Sequence, residues 1–169
     1  MLALLLVVPA MLDAGPTSKY TSTARGKSVS FKNSEDVEGM SEGFEAVFAG
    51  LGGYRLIHAA GDERSWINLR YRGKTTDLYA ATMAAGPGSF PHKANDVVEW
   101  RGVEEAGRFT PYAIIYRLAG ADEETRRTKT CLIVIKLDGA NSRIIGHAQG
   151  AHEDEEAKAI ADKVKPRAG

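Results

Sequence analysis

The chain of 169 residues holds a single cysteine, Cys131, and therefore cannot close an intramolecular disulfide. It also lacks a charge bias, with 22 Lys and Arg against 22 Asp and Glu. Nucleic-acid binders usually carry a clearly basic face and a high pI, so this balance predicts no nucleic-acid partner. The basic run Arg126–Lys129 follows Asp122–Glu124 with only Thr125 between and reads as a nearly neutral, solvated loop tip. Long apolar runs are missing too. The apolar segment Met1–Leu12 falls well short of the ~20 residues that cross a bilayer, and Asp13 ends it, which predicts no stable membrane span.

Catalytic signatures are equally scarce. There is no Gly-x-Ser-x-Gly elbow, no His-Glu-x-x-His pair and no Walker loop, and Gly50–Gly53 leads into a strand pattern rather than a helix, unlike a dinucleotide fingerprint. None of His58, His92, His147 and His152 has a second histidine at helical ligand spacing. His147 and His152, with Glu153 and Asp154 beyond, offer only a sparse ligand set. No metal and no cofactor is expected. Cys131 lies in the most apolar strand-like run, Thr130–Leu137, and reads as a buried small hydrophobe.

What is present begins at the first residue. Met1–Val8 is apolar and is followed by Pro9, Ala10 and Ala14, the pattern of a secretory h-region with small residues at two cleavage positions. The competing reading is a buried first element of the globular body. Residues 1–14 are thus expected to be a signal peptide, cut after Ala10 or Ala14. No Lys or Arg precedes the apolar run, so a truncated n-region with the true start upstream is expected. No lipobox cysteine follows. The expected location is periplasmic or extracellular.

Residues 15–35 are rich in Ser, Thr, Lys and Gly and predict a flexible arm or, at most, one edge strand around Lys27–Phe31. Residues 36–169 are expected to form a single globular domain. Its sequence alternates with the two-residue period of half-buried strands. Phe44, Ala46 and Phe48 share a face, as do Ile67, Leu69 and Tyr71, and Tyr112, Ile114, Tyr116 and Leu118. Residues 73–95 contain Gly86, Pro87, Gly88 and Pro91 and read mostly as loop, with a short helical turn at Leu78–Met83. The last segment changes period: Ala157, Ile160, Ala161 and Val164 form one helix face, four acids open the helix, and Pro166 follows. The predicted class is α+β, mainly β: an antiparallel sheet of about six to eight strands with one C-terminal helix packed on it.

Two constellations remain as candidate sites. Aromatic–arginine neighbours recur at Tyr54–Arg55, Trp100–Arg101 and Tyr116–Arg117. Strand neighbours point to opposite faces, so Arg55, Arg101 and Arg117 are candidates for one exposed face that binds an anionic ligand. The bland alternative is packed aromatics with merely solvated arginines. Separately, the 86–96 loop brings Ser89 and His92 close in sequence, with Asp96 following, as a weaker hydrolytic candidate. Carboxylates such as Glu99, Asp62 and Glu63 are not singled out from ordinary surface acids.

Gly50–Tyr54, Asp96–Arg101, Pro111–Arg117 and the Ala-rich terminal helix together resemble a family of small exported proteobacterial proteins of unknown function. The resemblance spans about Tyr20 to Val164 and implies export but no activity. Relatives of this kind often carry cysteines before the Gly-Gly-Tyr turn and in the last strand, where this chain has Ala49 and Ser142. The functional expectation is a non-catalytic exported binding or interaction protein, more a binder than an enzyme, with an envelope protein or a small anionic ligand as partner. The alternative is a small secreted hydrolase using the 86–96 loop. N-terminal sequencing of the protein from an extracytoplasmic fraction is expected to begin at Met11 or Gly15; an intact Met1 there contradicts cleavage.

Overall fold

Residues with alternating apolar character cannot bury one face of a sheet alone, and here two sheets bury theirs against each other. The computed structural model describes residues 15–24, 26–33 and 43–166. The expected leader, and the first residues of the expected globular body at 36–42, lie outside the described residues. The elements in chain order are β1 (Pro16–Ser22), β2 (Ser30–Asn33), β3 (Gly43–Ala49), β4 (Tyr54–Gly61), β5 (Arg64–Tyr71), β6 (Lys74–Thr76), α1 (Tyr79–Ala85), β7 (Ser89–Glu105), β8 (Arg108–Ala121), β9 (Thr128–Lys136), β10 (Arg143–Ala148) and α2 (Glu153–Asp162). One five-stranded sheet has the order β1-β7-β8-β9-β10 and the other β2-β3-β4-β5-β6, all neighbours being antiparallel.

The mainly-β class with a C-terminal helix stands, but the expected single sheet is two. Alternation reports one buried face per strand and says nothing about which partner covers it. The inner faces meet through Phe48, Leu56, Ile67 and Leu69 from the second sheet and Val98, Trp100, Ile114, Tyr116, Leu118 and Ile133 from the first. Cys131 belongs to this core, and burial pushes its thiol up to about 11.

Three local expectations are corrected. The 15–35 arm supplies two edge strands, β1 and β2, one to each sheet. β1 is polar, yet Ser18 bonds Glu99 and Thr21 accepts a 2.8 Å hydrogen bond from Trp100 Nε1, so side-chain bonds stand in for apolar burial. The 73–95 segment is not mostly loop: the short helical turn expected at Leu78–Met83 is there as α1, and β6 and the start of β7 flank it. Leu78 plugs into the core, and the Thr82 and Tyr116 hydroxyls meet at 3.2 Å, which anchors α1 between the sheets. Finally, Tyr112 does not share a face with Ile114, Tyr116 and Leu118. The register slips where Arg101 pairs with Ala113 while Gly102 pairs with Pro111, and this bulge turns Tyr112 to the opposite face.

That opposite face carries α2. Ala157 and Ala161 are fully buried against Tyr112, Ala113, Ile115, Leu132 and Val134, with Ile160 and Val164 flanking them. The alanine stripe allows close approach but buries little area, so polar staples matter. At the first turn, Glu153 takes an ion pair from Arg117, which also donates to Thr130 Oγ1 at 3.0 Å. At the last turn, Asp162 accepts from Arg101 Nε at 3.0 Å and Nη2 at 2.6 Å, and from the Tyr112 hydroxyl at 2.6 Å. These bonds hold the Asp162 carboxyl below its usual range against the opposing effect of burial, while burial first and the Asp162 hydrogen bond and charge second push the Tyr112 phenol up.

Removing one member of the Arg101–Asp162 pair leaves a buried, uncompensated guanidinium. Asp162→Ala is expected to lower the urea-derived unfolding free energy by about 2–4 kcal/mol. Lys19→Ala, which deletes the exposed pair with Glu104, is expected to cost under about 1 kcal/mol. Equal losses for the two variants would contradict the staple.

Candidate functional site: a cavity between the sheets

Where β1 ends, the chain crosses from the edge of the first sheet to the edge of the second. Thr23 N donates to the Asp96 carbonyl at 2.7 Å, and Val29 N to the Val47 carbonyl at 2.7 Å, so both ends of the crossover are tied down. Behind it the sheets leave a cavity of about 310 Å³. Ligand pockets typically start at ~300 Å³, with a mainly apolar lining and a few placed polar groups. Phe31, Phe44 and Phe48 supply the apolar wall, and Thr23, His58 and Asp96 the principal polar groups.

Register explains this lining. Phe31 pairs with Ala46 and Ala46 with His58, so all three point to the inner face. The Phe31 and Phe44 rings stack at 5.7 Å, and Phe44 meets the His58 ring edge-on at 5.6 Å. Asp96 and Asn33 are exposed and mark the mouth, whereas Thr23 and His58 are buried.

His58 is the unusual member. It is 8% exposed, and its Nε2 atom has no hydrogen-bond partner. Burial lowers its pKa below the usual value, opposed by the negative Asp96 and by the Thr23 backbone. The imidazole is therefore neutral near pH 7 and keeps unused hydrogen-bonding capacity beside an apolar hollow. An unpaired buried polar atom costs roughly 1–3 kcal/mol, a cost that a bound polar group can relieve.

The residues singled out from sequence are distributed differently. Arg55 is exposed on β4 of the second sheet, whereas Arg101 and Arg117 lie on the α2-facing side of the first and are paired with Asp162 and Glu153. The three do not form one exposed face. Their aromatic neighbours Tyr54, Trp100 and Tyr116 do point into the core. Ser89 and His92 sit at the start of β7, not in a loop. Ser89 donates to the Ala121 carbonyl at 3.2 Å, while both ring nitrogens of His92 are buried and unpartnered, so the two are not joined. Burial and the nearby positive Arg64 lower the His92 pKa. Asp96, the third member of that sequence cluster, belongs instead to the cavity and acts electrostatically on His58.

Sequence reasoning passed over His58, although alternation places it on the same face as Leu56. No sequence signal brought Thr23 and Asp96 together, because their contact spans two strands far apart in the chain. Among the described residues no group of three or more His, Cys, Asp or Glu is placed to hold a metal ion, and no helix is long and apolar enough to cross a membrane. No family model, curated protein or solved structure matches this chain.

Both buried histidines have folded-state pKa values below 6.5, so protonation favours the unfolded chain. Their contribution to stability is complete above about pH 6.5 and declines as the pH falls from there towards their folded values. A thermal-unfolding series is expected to show the melting temperature dropping between about pH 6.5 and 5, with a smaller drop in His92→Phe. An unchanged melting temperature across that window would contradict buried neutral imidazoles.

Proposed function

We propose that this chain is a non-catalytic, exported binding protein whose ligand is a small, uncharged, amphipathic molecule held between the two sheets. The observation that carries the reading is the phenylalanine-walled cavity with a neutral, unsatisfied His58. Three rings offer an apolar wall for a flat hydrocarbon or aromatic body, and the imidazole offers one hydrogen bond for orientation. Asp96 at the mouth disfavours anions. The anionic ligand anticipated for the arginines finds little support, because two of the three guanidinium groups already hold carboxylates of α2.

Export is supported by the apolar, leader-like Met1–Val8 and by the resemblance to small exported proteins. A non-catalytic role is supported by the disconnection of Ser89 from His92. Nucleophilic catalysis needs the nucleophile held against its base, and Ser89 spends its hydrogen bond on a carbonyl.

N-phenyl-1-naphthylamine has the required build, two aromatic systems and one N–H, and fluoresces on leaving water. Its emission is expected to rise saturably with the full-length protein. Ala46→Phe, which fills the cavity, is expected to weaken binding about tenfold or more, and His58→Leu about three- to tenfold. Circular dichroism of both variants establishes that the sheets persist. No saturable signal, or equal affinity in Ala46→Phe, would overturn the proposal.

A further inference from the structure

The outer face of the second sheet carries an arrangement independent of the cavity. Glu45, Ala59 and Trp66 stand directly opposite one another on β3, β4 and β5. Ala59 between the two long side chains is buried, and the chain after β6 supplies the rim of a cleft beside this row. Leu78 N donates to Asn68 Oδ1 at 2.8 Å and Tyr79 N to Asp77 Oδ1 at 3.0 Å, which fixes that rim. The result is a cleft of about 380 Å³ lined by Glu45, Trp66, Asn68, Thr75, Asp77 and Tyr79.

Its hydrogen-bonding inventory is specific. Glu45 and Asp77 carboxylates only accept. Trp66 is 8% exposed and contributes ring surface to the cleft, its Nε1 being buried out of reach of solvent. Asn68 has committed its carbonyl oxygen to Leu78, leaving its amide hydrogens to donate. A complementary ligand must present acceptors and donors side by side. A hydroxyl does both at one atom, accepting from the Asn68 amide while donating to a carboxylate. Tyr79, 37% exposed and 4.7 Å from the Trp66 ring centroid, adds an aromatic surface for the C–H face of a pyranose.

We infer that this cleft binds a saccharide through adjacent ring hydroxyls. An anion would meet two carboxylates, and a simple ammonium could not accept from the Asn68 amide, so neither satisfies the whole lining.

The chain has two tryptophans, and their indole N–H signals separate the cleft from the core. Trp100 is fully buried, with its Nε1–H donated to Thr21. In ¹H–¹⁵N spectra of the full-length protein titrated with cellotriose and, separately, triacetylchitotriose, the Trp66 signal is expected to move saturably with at least one sugar while that of Trp100 stays. By calorimetry, Trp66→Phe is expected to weaken that sugar about three- to tenfold, and Asp77→Asn similarly. Asp77→Asn decides the matter if Trp66→Phe fails to fold. A Trp66 signal indifferent to both sugars, or affinity unchanged in a folded Asp77→Asn, overturns the inference. Cavity binding of N-phenyl-1-naphthylamine is expected to be unaltered in Asp77→Asn, so the two sites fail or succeed separately.

Discussion

Trp100 is fully buried and fills the space where the β3–β4 turn closes over the first sheet. Its Nε1–H reaches across to Thr21 on β1, and its ring lies 6.5 Å from that of Tyr54. Gly50 at the start of the turn has no room for a side chain, since a Cβ there would sit 2.7 Å from the Trp100 ring. One side chain thus joins the edge strand, the turn and the inter-sheet core. Its neighbour Arg101, pointing the opposite way on the same strand, engages Asp162 and holds the far end of α2. The alternation of a single strand therefore serves two interiors, an apolar one between the sheets and a smaller, ion-stapled one beneath the helix. Most of the remaining architecture follows from that division.

Much of this was legible from the chain. Phe44, Ala46 and Phe48, Ile67 and Leu69, and the stripe Ala157–Val164 all face where their periods place them, because periodicity is a local property of sequence. Other features depended on distant partners. Ser18 and Thr21 make a polar segment a strand only because Glu99 and Trp100 await them on β7. Tyr112 changes face because of a bulge that no residue pattern announces. Leu78 and Thr82 make the expected helical turn a plug because a gap between sheets exists to receive them. The arginines show the same limit. The pattern placed them opposite their aromatic neighbours, yet whether they met solvent or the acids of α2 depended on where the helix docked.

The cavity and its histidine lie at a seam of the sandwich. The centre of the core is filled by Trp100, Tyr116 and branched residues, while the side beneath the β1–β2 crossover is walled by aromatic rings that leave a hollow. A histidine on an apolar inner face is normally costly unless paired. Here it lines that hollow with its Nε2 unpaired. The cleft around Trp66 has a different lining, which sets the Glu45 and Asp77 carboxylates beside the Asn68 amide. The two hollows lie on opposite faces of one sheet, the inner walled by phenylalanine rings and the outer lined mostly by polar side chains.

The central claim is that the space between Phe31, Phe44, Phe48 and His58 is a ligand site. A crystal structure of the full-length protein with N-phenyl-1-naphthylamine tests it most directly. The account predicts the naphthyl ring between the phenylalanines, with its N–H group hydrogen-bonded to the His58 imidazole. A cavity closed by inward movement of Phe31 and Phe44, with the dye elsewhere or absent, would contradict it.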